Sequence, residues 1–165
     1  MSGAAVRLLT PEDVETFKRI RLEALRLAPE AFASRFDDWE HLPDEEWQRR
    51  VTANPVFVAF RDDEPVGIMG LMLQQSSKMA HRATIIMVYL RESERGSGAA
   101  PALLDALLDH ARRTGIRQIE LAVTAENPAA ERFYARHDFK EIGRIPGGFL
   151  HDGREIDEIL MARRL

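Results

Sequence analysis

Apolar residues recur at helical spacing in two stretches of the first third of the chain. Residues 10–13 (TPED) offer an N-cap, a proline and acids for a first turn, which predicts a helix that ends before the connector 29–42. Its mostly apolar stripe also contains Arg21. Residues 43–46 (PDEE) repeat the proline-plus-acids start and predict a second, shorter helix, so the connector between the two helices is irregular.

From residue 56 the pattern changes to that of strands. Segments 56–60 (VFVAF) and 65–73 (PVGIMGLML) flank the polar turn 61–64, which predicts an antiparallel hairpin. Segment 83–90 (ATIIMVYL) is continuously apolar, which predicts a strand buried on both faces.

The remainder of the chain alternates between helix and strand signals. A helix that follows the glycine-containing turn 95–100 should end at the C-cap signal 114–115 (TG). Segment 119–123 (IELAV) predicts a strand, and a short helix should run from Asn127 to about residue 136. Near the end of the chain, residues 139–145 and 155–163 predict two strands, and residues 146–153 predict a loop between them.

This order of elements predicts a fold of the α/β class in its mixed α+β form, with helices covering a sheet. It does not suit a doubly wound fold, because strict alternation of strand and helix is absent. At 165 residues the chain fits one domain, residues 1–165.

Composition removes several classes of function. Without cysteine the chain can form no disulfide, thiolate nucleophile or sulfur-ligated zinc site, and its five histidines show no metal-ligand spacing. A net charge of −4 disfavours nucleic acid as a partner, and the apolar runs are far shorter than the roughly 20 residues that cross a bilayer. The first residues lack a secretion pattern. We therefore expect a cytoplasmic protein with no metal, nucleic-acid or membrane partner, and a homodimer is left open.

The stretch 87–108 carries most of the chemical information, because an apolar strand runs through the glycine turn into a helix. Small residues at 96–100 allow close approach of a ligand to the backbone, and the helix start adds partial positive charge, which predicts a phosphate site. The phosphate-loop ending Lys-Ser/Thr is absent, and Pro101 stands near the third glycine of the dinucleotide pattern. From the local pattern alone, a plain turn before a helix is the alternative.

Two motifs resemble the signatures of the GCN5-related N-acetyltransferase (GNAT) superfamily. Arg95, Gly98 and Ala100 match its acetyl-CoA signature Arg/Gln-x-x-Gly-x-Gly/Ala, and segment 121–139 (LAVTAENPAAERFYARHDF) is similar to its second signature. The likeness extends in the family's order over about residues 6–165. It implies a central, mostly antiparallel mixed sheet of about six to seven strands flanked by about four helices, with acetyl-CoA as co-substrate.

The resemblance also implies roles for single residues. The main chain of 88–90 would pair with the pantetheine arm, and the amides of 96–100 would hold the pyrophosphate, to which Pro101 can donate no N–H. Asn127 would contact the cofactor or only cap a helix, and Tyr134 would protonate the departing CoA thiolate or only fill the core. The implied cofactor-binding residues are Val88, Tyr89, Leu90, Arg95, Gly96, Ser97, Gly98, Ala99, Ala100 and Asn127.

The activity implied is transfer of an acetyl group from acetyl-CoA to a primary amine of a small molecule or peptide, by direct attack in a ternary complex. A base is expected because a lysine-like amine is mostly protonated at pH 7. No base is assigned among the four candidates: Glu120, Glu126, His151 and Asp152. The acceptor should border the irregular segments 29–42 and 146–153 and the loop after residue 75. A catalytically impaired CoA-binding sensor or regulatory module, and an acetyltransferase acting on a protein N-terminus or lysine, are the alternatives.

Overall fold

The computed structural model describes residues 3–165 and places in them five α-helices and seven strands. The helices are α1 (Val14–Leu27), α2 (Asp37–Glu40), α3 (Asp44–Ala53), α4 (Ala99–Arg113) and α5 (Pro128–Arg136). The strands are β1 (Ala5–Leu8), β2 (Val56–Arg61), β3 (Glu64–Leu73), β4 (Arg82–Leu90), β5 (Gln118–Thr124), β6 (Lys140–His151) and β7 (Arg154–Arg164). Short 3-10 helices lie at Pro11–Asp13, Pro29–Ala31 and Glu92–Glu94.

The helix boundaries follow the capping signals in the sequence. The carboxylate of Asp13 accepts hydrogen bonds from the Thr10 amide at 2.7 Å and from its hydroxyl at 3.1 Å, so the 3-10 turn before α1 is closed by its own residues. Helix α4 ends at Arg113, just before the predicted Thr114-Gly115 C-cap, and Gly115 adopts φ 85°. The predicted starts and ends of these helices are confirmed.

The seven strands hydrogen-bond in the order β1-β2-β3-β4-β5-β7-β6. β2 is antiparallel to both β1 and β3, and β7 is antiparallel to both β5 and β6. The pair β4 and β5 is parallel. The expected mixed and mostly antiparallel sheet of six to seven strands is confirmed.

The chain divides into two compact units. Among the described residues, the first comprises 3–72 together with Ile85–Thr114, and the second comprises Leu73–Thr84 and Gly115–Leu165. Strand β4 contributes residues to both. That residues 1–165 work as one domain stays a prediction.

The core of the first unit is built around aromatic side chains from α1, α2 and α3. The rings of Phe17 and Trp47 have no exposed surface and meet edge to face with their centroids 5.4 Å apart. The ring centroid of Trp39 lies 5.3 Å from that of Trp47. Strands β2 and β3 contribute aliphatic side chains to the same cluster, including Val58 and Ile68. Burial of these apolar side chains holds α1 and α3 against β2 and β3.

The second unit is organised by the long antiparallel ladder of β5, β7 and β6. Ile119 and Ile159 are almost fully buried, as is Phe139 at the start of the last hairpin. The Tyr134 ring on α5 packs edge to face against Phe139, with 5.5 Å between centroids. One end of α5 is thereby attached to this unit's own core.

Two predictions about the strands are wrong. Strand β4 is not buried on both faces: Ala83 and Ile85 are buried, but Val88 is 38% exposed. The described ladder between β4 and β5 includes only residues 82–84 of β4, so the later apolar residues lack a strand on that side.

The predicted loop 146–153 is largely strand, because β6 continues to His151 and pairs there with Arg154. Asp152 and Gly153 both have positive φ, 50° and 74°, as a two-residue hairpin turn of the Asp-Gly kind requires. The ladder is irregular between Glu141 and Gly143 and again between Ile145 and Phe149.

The connector 29–42 is also more ordered than expected, since it contains the 3-10 turn Pro29–Ala31 and the single-turn helix α2.

Among residues 3–165, no helix combines the length and the apolar composition that crossing a bilayer would need.

Candidate active site

The glycine turn presents several backbone donors at the start of α4. Gly96 and Gly98 adopt φ 74° and 90°, a region that residues with a side chain rarely occupy. The Ser97 amide donates to the Glu94 carbonyl at 3.1 Å, and the Ala99 amide donates to the Ser97 hydroxyl at 3.3 Å. Within residues 3–165, the amides of Gly96, Gly98 and Ala100 have no acceptor. These three donors, with the positive end of a 15-residue helix, form an anion-binding arrangement.

A partly buried ion pair anchors the beginning of this turn. Arg61 at the end of β2 donates two hydrogen bonds to the carboxylate of Glu94, at 3.2 and 2.7 Å. This guanidinium, with help from the Ser97 hydroxyl, holds the pKa of the Glu94 carboxyl below its usual range. Glu94 is therefore charged at neutral pH and ties the turn to the sheet.

The predicted pantetheine strand, Val88–Leu90, lies where β4 has left its ladder with β5. The described pairs between these strands stop at Thr84, and Met87 has a positive φ of 57°, which is unusual for a residue with a side chain. Between Ile85 and Leu90 the strand edge is thus without a partner among the described residues on that side. Such an edge can pair with an extended ligand through main-chain hydrogen bonds.

The Tyr89 side chain is committed to a structural contact. Its hydroxyl donates to Glu23 on α1 at 3.1 Å, and Arg91 donates two further hydrogen bonds to the same carboxylate, at 2.8 and 2.6 Å. Burial and the neighbouring Glu23 charge raise the pKa of Tyr89 to about 12. Only the main chain of Tyr89 is therefore available to a ligand. Arg91 also reaches Glu64 at 3.3 Å, which extends the network to β3.

Asn127 takes the capping role that the sequence left as an alternative. Its side-chain oxygen accepts a hydrogen bond from the Ala130 amide at 3.1 Å, at the start of α5. This contact occupies one lone pair and leaves the amide nitrogen of the side chain free to donate.

Tyr134 combines a buried ring with an unengaged hydroxyl. The residue is 4% exposed, and its ring contacts Phe133 and Phe139. The phenol oxygen makes no hydrogen bond within residues 3–165, yet it is not among the fully enclosed polar atoms, so its tip reaches solvent. Burial raises the pKa of the Tyr134 phenol, which keeps it protonated at neutral pH.

The two glutamates among the candidate bases are held by arginines. Glu120 accepts two hydrogen bonds from Arg82, at 2.7 and 2.6 Å, and Glu126 accepts two from Arg154, both at 2.9 Å. These guanidinium contacts lower the pKa of both carboxyls, which makes each a weaker base. His151 lies with its Nε2 atom 3.4 Å from the exposed carboxylate of its neighbour Asp152. No group of three or more acidic or histidine side chains in the described chain is arranged to hold a metal ion.

The first unit thus brings together nine of the predicted residues in two segments, Val88–Leu90 and Arg95–Ala100, while Asn127 and Tyr134 lie in the second unit. Arg95 is exposed on the turn. The sequence offered no signal for Glu23, Arg61 or Glu94, because acids and arginines in turns usually face solvent.

Comparison with known proteins gives matches over most of the chain. The pattern of the family described as "Acetyltransferase (GNAT) family" matches residues 21–139, a range that includes the glycine turn and Tyr134. The chain is 27% identical over 168 residues to L-amino acid N-acetyltransferase AaaT of Escherichia coli, with 99% of each chain covered. It is 29% identical over 132 residues to mycothiol acetyltransferase of Brachybacterium faecium, which covers 80% of this chain and 39% of the relative's length.

Among solved structures, a GNAT superfamily phosphinothricin acetyltransferase of Sinorhizobium meliloti in complex with acetyl-CoA superposes with a TM-score of 0.83. The two chains are 20% identical, and the alignment covers 99% of this chain and 89% of the other. This likeness shows a shared fold.

Proposed function

This chain belongs to the acetyltransferase (GNAT) family, and on that premise we propose that it transfers an acetyl group from acetyl-CoA to a primary amine. The residues 1–165 act as one catalytic domain in this proposal. The observation that carries it is the trio of free amides at Gly96, Gly98 and Ala100 on the N-terminus of α4. A pyrophosphate is the part of acetyl-CoA that such donors would bind.

The remaining cofactor contacts extend from this anchor. The main chain of Val88–Leu90 pairs with the pantetheine arm as an added strand, and the side-chain nitrogen of Asn127 donates to the cofactor. Arg95, being exposed and cationic, adds charge beside the phosphates. Pro101 donates nothing, so the pyrophosphate depends on the three amides that precede it.

The chemistry is a direct attack. The neutral amine adds to the thioester carbonyl, and a strand N–H near Val88 stabilises the oxyanion that forms. The C–S bond then breaks, and the Tyr134 phenol gives its proton to the departing CoA thiolate. Its buried ring and unengaged hydroxyl support this role. Since Glu120 and Glu126 are tied to arginines, water is the carrier of the amine's proton.

A small-molecule amine is the acceptor class we propose. The relative from Escherichia coli is named for L-amino acids, and that relative spans nearly the whole of this chain. A second candidate function, a CoA-binding sensor without turnover, is favoured by one observation: the arginine pairing of both glutamates among the candidate bases.

Two measurements test these proposals. Calorimetry with acetyl-CoA and with CoA should give binding to the purified chain, and lack of binding would contradict both candidate functions. A thiol-release assay with amino acids, polyamines, aminoglycosides and peptides should identify an acceptor. Binding with no turnover on any amine would favour the sensor.

For any amine that is acetylated, initial rates at several concentrations of both substrates should give intersecting double-reciprocal lines. Parallel lines are the mark of a covalent acetyl-enzyme and would contradict direct attack.

A further inference from the structure

A buried arginine occupies the apolar face of α1. Arg21 lies one turn after Phe17 and one turn before Leu25, both of which are almost fully buried. Arg21 itself is 3% exposed, although arginine is among the residues that are rarely buried without a partner. A leucine or methionine at this position would satisfy the packing without the cost of burying a charge.

The guanidinium of Arg21 has no hydrogen-bond acceptor. Its Nε and Nη1 atoms are fully enclosed and unpartnered among residues 3–165. No carboxylate in the described part of the chain forms an ion pair with it. Burial, with added repulsion from a second cation, Arg50, lowers the pKa of Arg21 to about 10, so the group is still protonated at neutral pH.

Aromatic rings are the immediate surroundings of this cation. The Cζ atom of Arg21 lies 4.8 Å from the Phe32 ring centroid and 4.5 Å from that of Trp39. Trp39 also lies under Arg50, at 4.2 Å. Ring faces attract a cation but accept none of its N–H groups in the plane of the guanidinium, so the three N–H groups on Nε and Nη1 stay unsatisfied.

One edge of the guanidinium remains reachable. Nη2 has no partner either, but unlike Nε and Nη1 it is not among the enclosed atoms, so it touches solvent. An anion arriving there would meet Nη2 first and Nε beside it. Phe32 and Trp39, whose ring centroids lie 4.8 and 4.5 Å from Cζ, belong to the connector 29–42, which contains a 3-10 turn and the single-turn helix α2.

The location also fits the transfer chemistry. Met87 and Tyr89 of β4 pack against the same apolar cluster that contains Phe32 and Trp39. The Arg21 site and the strand proposed to hold the thioester therefore border the same apolar cluster within the first unit.

We propose that Arg21 binds the carboxylate of the acceptor, so that the acceptors are amines that carry a carboxylate, such as free amino acids. This inference rests on the proposed acetyltransferase function. A carboxylate matches the site because its two oxygens can accept from Nη2 and Nε in the planar fork geometry of guanidinium pairs. Its negative charge supplies what the buried cation lacks.

The decisive experiment compares each L-amino acid with its carboxamide, which keeps the amine and side chain but loses the negative charge. For the wild-type chain, kcat/KM should favour the free acid by about tenfold or more. Arg21→Met should remove that preference by lowering kcat/KM for the acids alone, and Arg21→Lys should retain part of it. The matched control is Arg26→Met, an exposed arginine on the same helix whose Cζ lies 5.9 Å from the Phe36 ring and whose loss should leave the preference intact.

A binding measurement separates this inference from the proposed function. Trp39 is one of only two tryptophans, so its fluorescence should change saturably when wild-type chain is titrated with L-amino acids and not with the carboxamides, whether or not acetyl-CoA is present. Equal responses to acid and amide, or a response to phosphate or sulfate alone, would overturn the carboxylate site. So would an unchanged acid preference in Arg21→Met. The wild-type comparisons need no variant, which keeps the test valid even if Arg21→Met fails to fold.

Discussion

Arg61 and Glu94 form a two-point ion pair across 33 positions of sequence, with hydrogen bonds of 3.2 and 2.7 Å. The pair joins the end of β2 to the 3-10 turn that leads into the glycine turn. Because the donors at Gly96, Gly98 and Ala100 follow within six residues, their positions depend on this attachment.

Loosening that attachment should weaken cofactor binding. Glu94→Gln keeps the shape of the side chain but removes its charge, so we expect the affinity for acetyl-CoA to fall about tenfold with kcat changed less than about threefold. Calorimetry and initial rates measure the two effects. Glu141→Gln is the matched control, since it breaks an exposed pair with Arg144 that lies far along the chain on β6. Equal affinity in Glu94→Gln and wild type would contradict a positioning role.

Gly98→Val should abolish most binding of acetyl-CoA. No protein atom lies within 4 Å of a Cβ placed there, so a valine would not crowd the surrounding chain. The loss of affinity would come from backbone strain at φ 90° and from a side chain that projects into the space proposed for phosphate. Gly115→Val is the matched control, because Gly115 has φ 85° and equally open surroundings at the far end of α4. Both variants should melt at lower temperature, and only Gly98→Val should lose affinity in calorimetry. Retained affinity would place the phosphate site elsewhere.

Tyr134→Phe should lower kcat by about 100-fold while the affinity for acetyl-CoA changes little. The ring contacts with Phe133 and Phe139 survive this substitution, and the hydroxyl has no hydrogen bond to lose in the described chain. The melting temperature should therefore match that of wild type, which separates a chemical defect from a structural one. Unchanged turnover would remove Tyr134 from the acid role.

The Glu23 contacts predict a loss of stability in acid. Hydrogen bonds from Arg91, followed by the one from Tyr89, lower the pKa of Glu23, so its stabilising effect is complete above the unfolded pKa of about 4.3 and is lost as pH falls through the lower folded value. Glu23→Gln should melt on the order of 5 °C below wild type at pH 6.

Thermal melts followed by circular dichroism between pH 3 and pH 7 measure this difference, which should be constant above about pH 5 and shrink below pH 4. Glu15→Gln, an exposed position on the same helix, should show no such trend. A difference that persists unchanged at pH 3 would contradict the linkage.

Much of the fold was readable from local signals. Helix starts at proline-plus-acid segments, the change of period at residue 56 and the Asn127-Pro128 start of α5 all appear in the structure where the sequence places them. The predicted loop 146–153 was wrong, because the glycines and proline around 146–148 are typical of a loop although the strand continues there through an irregular ladder. The exposure of β4 could not be read, because continuous apolar character is the same whether or not a neighbouring strand is present.

The glycine turn, the strand before it and the helix after it follow from the amino-acid sequence, which acts here through φ preferences and side-chain periodicity over a few residues. Through two motifs it also determined the family. Tertiary structure alone decided which charges meet: Arg61 with Glu94, Arg91 with Glu23, and Arg21 with aromatic rings instead of a carboxylate. These pairings depend on contacts between residues that are distant in the chain, so composition and local spacing do not predict them.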